Sequence, residues 1–292
     1  MDGPSRADAW RRGRALTPVP NDPGLWLAQF PWPDSNAHKH RRGRLAVVSG
    51  SASRTGAARL AARAGLRIGA GVVTVLSPPS ALLVHAVALE AVMVRAFGGP
   101  EDLGRLAGQL DAAVIGPAAG VGEDTIRNVE ALIAVAGGLV VDADGLTSFR
   151  SDPARLFAVI RASDVLTPHE GEFDRLWSGL LAEGREVAAL RAAEAAGAVL
   201  VLKGAETLVA APDGRLVRNG NGVPWLATAG SGDVLAGLIG GLIAQGTPTF
   251  DAACAAVWIH AEAAAAFGPG LIAEDLPGLV PAVLGRLHSR GG

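Results

Sequence analysis

Residues 112–144 read AAVIGPAAGVGEDTIRNVEALIAVAGGLVVDAD. Four apolar residues, Ala112 to Ile115, stop at Gly116-Pro117. A glycine-rich link leads to Glu123, and apolar residues then recur at helical spacing as far as Ala136. A second apolar run, Leu139 to Val141, stops at Asp142. Short runs that are apolar on both faces and bounded by turn residues predict buried strands, and a helix between two of them predicts a parallel crossover. The alternation continues in both directions. Strands are predicted over Leu45–Val48, Val72–Leu76, Val165–Leu166 and Ala198–Leu202, and helices over Gly56–Arg67 and Arg185–Ala196. A small meander follows: Thr207–Ala210, the turn Pro212-Asp213-Gly214-Arg215, then Leu216–Arg218. Helices over Gly232–Gln245, Asp251–Phe267 and Asp275–Leu287 close the chain. The expected fold is α/β, a central, mostly parallel sheet with helices on both faces.

The 292 residues are 49 % hydrophobic and 18 % charged, as expected of one continuous α/β domain with a large core. A net charge of −2 argues against a sequence-independent nucleic-acid binder, which needs a basic face. No uncharged apolar run reaches the length of a membrane span; the eleven residues Val234 to Ala244 suit a buried helix. The single cysteine, Cys254, excludes an intramolecular disulfide and a Cys-based zinc cluster, and fits a cytoplasmic protein. Met1 to Arg14 is Arg-rich without an apolar stretch, unlike a secretory signal. Residues 1–36 are read as a Pro/Arg-rich arm wrapping the edge of a domain over 37–292. Its Trp26, Phe30 and Trp32 want burial.

Ligands of an open parallel sheet sit beyond the carboxyl ends of its strands. The residues found there are Ser49-Gly50-Ser51, Gly116 to Gly120, Asp142-Ala143-Asp144, Thr167 to Glu172 and Lys203-Gly204-Ala205. The sharpest element is Ala229-Gly230-Ser231-Gly232-Asp233-Val234-Leu235, glycines opening a strongly apolar helix. Backbone N–H groups converging at a helix N-terminus suit a phosphate. Asp233, in the first turn, either takes a proton from a hydroxyl being phosphorylated or caps the helix. Lys203 either reaches a nucleotide phosphate or snorkels from its strand end with little bearing on stability. His169 reads as a turn histidine making structural hydrogen bonds, and Asp142 and Asp144 as a metal pair or as helix caps. His38 and His40 read as solvated, and the helix around Trp258 and His260 as core. Neither G-x-x-x-x-G-K-[ST] nor a G-x-G-x-x-G after a strand is present, which disfavours a P-loop and a dinucleotide-binding fold.

In order along the chain, His38-Lys39, Arg42-Gly43, Gly50-Ser51, Thr55 to Ala58, Gly69 to Thr74, Ile115-Gly116-Pro117 and Asp142-Ala143-Asp144 stand beside Thr167 to Phe173, Leu202 to Thr207, Gly230 to Leu235 and Asp275-Leu276. Over residues 37 to 287 this pattern resembles the ADP/ATP-dependent NAD(P)H-hydrate dehydratases of the ribokinase-like superfamily. The resemblance implies a three-layer ribokinase-like fold and a carbon–oxygen lyase of nicotinamide nucleotide repair. Such an enzyme returns hydrated NADH and NADPH (NADHX and NADPHX, 6S epimer) to the reduced cofactor, with ADP or ATP as co-substrate and Mg²⁺, releasing AMP and phosphate from ADP. It implies that Asp233 is the catalytic base and that Ala57, Gly120, His169 and Asp233 bind the hydrate. Lys203, Gly204, Ala205, Glu206, Thr207 and Gly232 would bind the nucleotide.

It also implies a homo-oligomer, a tetramer, acting with a separate epimerase, because the fused epimerase domain of many bacterial members is not in this sequence. The chain departs from the family pattern at Ala118-Ala119, Ala229, Glu170 and Val223-Pro224-Trp225. Two other functions fit the same residues: a small-molecule kinase for a vitamin precursor, which would stop at the phosphorylated product, and a nucleotide-binding sensor without catalysis.

Overall fold

The computed structural model describes residues 17–34 and 38–291. Among them run ten strands: β1 Val19–Pro20, β2 Arg44–Val48, β3 Val72–Ser77, β4 Met93–Ala96, β5 Ala112–Ile115, β6 Leu139–Val141, β7 Val165–Leu166, β8 Val199–Leu202, β9 Thr207–Ala210 and β10 Leu216–Asn219. They form one sheet in the order β1-β10-β9-β8-β7-β6-β5-β2-β3-β4. Pairing is parallel except around the meander, where β9 runs antiparallel to β8 and β10. The centre is in register as Val47–Val114 and Val114–Val140, all three fully buried, which is why these strands carry no polar alternation.

The helices are α1 Thr55–Arg67, α2 Pro79–Ala88, α3 Pro100–Ala107, α4 Glu123–Ile133, α5 Asp144–Thr147, α6 Pro153–Phe157, α7 Glu170–Leu176, α8 Arg185–Ala196, α9 Ser231–Ala244, α10 Thr249–Phe267 and α11 Leu276–Gly291. Glu123 and Asp124 in the first turn of α4 complement its dipole, and left-handed Gly197 stops α8. On one face α1, α9, α10 and α11 share a core with Leu45, Val73 and Val114; on the other α3, α4 and α8 pack over Ala113, Val141 and Leu200. This is the three-layer arrangement. The glycines inside α9 allow contact with α1: a Cβ on Gly237 would lie 2.2 Å from the Ala61 carbonyl oxygen. Long and apolar enough to cross a membrane, α10 instead lies largely buried inside the protein.

Seven of these elements stand where no regular structure was predicted: the two-residue β1, the short helices α5, α6 and α7, and α2, α3 and β4. Helix α2 leaves Leu83 and Val87 at the surface, so it lacks an amphipathic stripe, while β4 is an exposed edge strand. α3 is a short helix opened by Pro100. Of the N-terminal arm, residues 1–16 and 35–37 lie outside the described residues. Residues 17–34 pack on the domain: Val19 pairs with Val217, Trp26 is buried with its ring 5.8 Å from that of Trp258, and the Trp32 ring lies tilted 4.9 Å from His288. Cys254 is buried in α10, and burial pushes its thiol pKa up. His38 and His40 are exposed.

Candidate active site

Strands β6, β7 and β8 end side by side and bring polar groups to one rim. Just beyond them the Lys203 N–H donates to the Pro168 carbonyl at 2.8 Å and His169 bridges to Lys203, which zips the two loops together. The Lys203 ammonium is 2.6 Å from Asp142 Oδ1 and 3.8 Å from Glu172 Oε2. Asp142 is 1 % and Glu172 7 % exposed. Lys203 is therefore not a snorkelling strand-end lysine of little structural weight: it is the counter-charge of two buried carboxylates. Burial alone lowers an amine's pKa, but Asp142, Glu172 and Asp233 outweigh it, and Lys203 is raised and stays charged.

Helix α9 points its N-terminus at this pair. Its N-cap is Gly230, at φ +88°, where a Cβ would lie 2.7 Å from Leu60 Cδ1 and 2.9 Å from Ala273 Cβ, so only glycine fits. The N–H groups of Gly232 and Asp233 fall in the first turn, where the helix offers them no carbonyl partner. A Cβ on Gly232 would sit 3.5 Å from Lys203 Nζ and 3.8 Å from Asp142 Oδ2, so this turn lies against the ion pair. No side chain caps α9, so the cap hydrogen bond that a purely structural Asp233 would make is not formed. Burial first, and the Asp142 charge second, push the Asp233 carboxyl up to about 6, against the pull of Lys203. A carboxylate so placed is ionised at pH 7 and still basic enough to accept a proton.

Beside this turn opens a cavity of about 500 Å³. Lys203, Gly204, Ala205, Thr207 and Gly232 line it, while Glu206 turns outward to within 3.8 Å of Arg218. Ala57, Gly120, His169 and Asp233 are not among the residues that line the cavity. Gly120 donates its N–H to Asp144 Oδ2 at 2.9 Å, and Arg54, three residues before Ala57, lies 3.9 Å from the same carboxylate. Asp142 and Asp144 therefore serve different partners in this structure, Lys203 and the Gly120 N–H. His169 caps α7: its Nδ1 accepts the N–H groups of Gly171 and Glu172, and Glu172 Oε2 accepts the His169 N–H at 3.0 Å. That assigns the ring proton to Nε2, which lies 3.3 Å from Glu172 Oε1. Ala118 holds a left-handed φ of 56°, with its carbonyl against Gly50.

Asn219, which sequence reasoning passed over, and His260, which it read as core, also line the cavity. His260 is buried, as a core residue should be, but its Nε2 has no partner, and burial pushes its pKa down to about 4. An imidazole or an asparagine in an otherwise apolar wall was the available signal.

The family model described as NAD(P)H-hydrate dehydratase matches residues 45–274. The ADP-dependent (S)-NAD(P)H-hydrate dehydratase of Xanthomonas campestris is 36 % identical over 285 residues, covering 89 % of this chain and 94 % of that one. The bifunctional NAD(P)H-hydrate repair enzyme Nnr of Gloeobacter violaceus is 39 % identical over 259 residues, 87 % of this chain; this chain spans 50 % of that enzyme. Among solved structures, the ADP/ATP-dependent NAD(P)H-hydrate dehydratase of Bacillus subtilis, co-crystallised with ATP and Mg²⁺, superposes with a TM-score of 0.79 at 25 % identity, covering 94 % of this chain and all of that one. A fold of the ribokinase-like class and this breadth of matching lead to one assignment: the chain belongs to the NAD(P)H-hydrate dehydratase family.

Proposed function

We propose that the protein returns (6S)-NADHX and NADPHX to NADH and NADPH at the expense of ADP, releasing AMP and phosphate. One observation carries this reading: the Asp233 carboxylate, pushed up to about 6, stands in the helix turn that faces the Lys203–Asp142 pair beside a nucleotide-sized cavity. The nucleotide lies in the cavity with its terminal phosphate at the N–H groups of Gly232 and Asp233. Asp233 accepts the proton of the hydrate's ring hydroxyl as that oxygen bonds to phosphorus and the bond to AMP breaks. The C–O bond then breaks with loss of phosphate, a proton leaves the neighbouring ring carbon, and the double bond returns. Lys203 balances the charge that gathers on the phosphate side.

No group of three or more His, Cys, Asp or Glu side chains forms a metal cage among the described residues. Magnesium commonly takes few protein ligands and completes its shell with phosphates and water, so an ion that enters with the nucleotide needs no such cage. Bound with the nucleotide, Mg²⁺ would neutralise charge on the phosphoryl oxygens.

Self-association belongs to the same proposal, supported by exposed Leu83 and Val87 on α2 and Met93 on edge strand β4; light scattering tests it. An epimerase would supply the 6S hydrate. The deciding experiment incubates the protein with hydrated NADH or NADPH, ADP and Mg²⁺ and follows the absorbance of reduced nicotinamide alongside AMP and phosphate. Stoichiometric release of all three is expected. A phosphorylated organic product without reduced nicotinamide makes the protein a small-molecule kinase, and binding without turnover makes it a sensor.

A further inference from the structure

Asn219 closes β10 and lines the cavity, buried to 3 % exposure. Its Oδ1 accepts a hydrogen bond of 2.9 Å from Asn21 Nδ2, which also donates to the Cys254 carbonyl on α10 at 2.8 Å. Trp26 Nε1 donates to Asn21 Oδ1 at 3.1 Å, so both ends of the Asn21 amide are engaged. On the far side, Asn219 Nδ2 donates to Asn221 Oδ1 at 2.6 Å, and Asn221 Nδ2 donates to the Trp258 carbonyl and to Glu262 Oε1, again on α10. The cavity has one wall from β10 and another from α10, where Val257, His260 and Ala261 line it. Asn21 is thus a clamp between the two walls, held by a segment that precedes the region matched by the family model.

We propose that residues 17–34 brace the nucleotide site from outside the cavity, with Asn21 as a positioning residue that fixes the spacing of β10 and α10 and thereby the affinity for the nucleotide. The inference rests on the cavity being the nucleotide site. Two walls from separate elements keep a fixed width only through bonds across them, and a wall that must be ordered on binding weakens the complex.

The test compares Asn21→Ala with Phe30→Leu in the full chain. Phe30 is buried in the same segment, packs on Trp26 and Trp32, and lies outside the clamp. Isothermal calorimetry with ADP, and steady-state kinetics varying ADP and hydrate separately, are read together with melting curves. For Asn21→Ala, ADP affinity and the KM for ADP should weaken about tenfold, as expected for losing a pair of buried hydrogen bonds, with the hydrate KM little changed. Phe30→Leu should lower Tm without moving either ADP constant. If Asn21→Ala does not fold, Trp26→Phe, which removes the indole N–H and keeps most of the ring's bulk, should weaken ADP about threefold. An unchanged ADP constant in folded Asn21→Ala or Trp26→Phe, or an equal loss in Phe30→Leu, overturns the proposal. If the wild type does not bind ADP at all, the functional reading itself has failed.

Discussion

Replacing Asp233 with Asn should make the protein more stable and nearly inactive at once. The native carboxyl is pushed from the ordinary 3.8 up to about 6. Between those values the folded protein holds a proton that the unfolded chain has lost. Its contribution to stability is therefore complete below about pH 4 and disappears as pH rises through 6. At pH 7 the ionised Asp233 costs the fold about 3 kcal/mol. Asparagine has nearly the same volume and no charge. Its imperfectly paired amide gives back about 1 kcal/mol of the gain, which leaves about 2 kcal/mol and a Tm roughly 4 °C higher. An amide cannot accept the hydroxyl proton, so turnover should fall at least about 100-fold. Scanning calorimetry at pH 7.5 and pH 4, with calorimetric ADP binding and the reduced-nicotinamide assay, measures each part. The variant should gain Tm at pH 7.5, lose that advantage at pH 4 and still bind ADP. A lower Tm at pH 7.5, or turnover within about tenfold of wild type, refutes the reasoning.

Lys203→Met leaves the buried Asp142 carboxyl without its ammonium partner and should cost about 3–5 kcal/mol in urea unfolding, much of it recovered by adding Asp142→Asn. In wild type the acid limb of kcat should fall near pH 6, and because the Lys203 charge lowers the Asp233 pKa, the limb should move to higher pH in Lys203→Met. Gly230→Ala forces a methyl against Leu60 and Ala273 in a left-handed turn, so about 1–2 kcal/mol of backbone strain adds to the overlap. ADP binding should weaken sharply in that variant, as read by calorimetry.

The central strands were legible because β5, β6 and β8 are buried on both faces and nothing polar interrupts them. Helix α2 and strand β4 were not, because exposed Leu83, Val87 and Met93 break the link between apolarity and burial on which periodicity depends. The phosphate turn was legible for a local reason: its glycines and Asp233 are adjacent in the chain. The state of Lys203 was hidden, since its partner Asp142 stands 61 residues away, and so was the clamp from Asn21 to Asn219, which spans 198. A lysine at a strand end looks the same in sequence whether it faces water or a buried carboxylate. Side-chain pairing across the rim is a property of the folded sheet, and residue spacing does not encode it.

Cys254 gives the protein an internal clock. It is the one thiol in the chain, buried in α10 with its pKa pushed up, so a thiol reagent meets almost no thiolate while the fold is closed. Each modified molecule then marks an opening event of the helix that walls the cavity. Mass spectrometry after timed alkylation would follow the fraction of molecules that have opened, with no tryptophan signal to untangle.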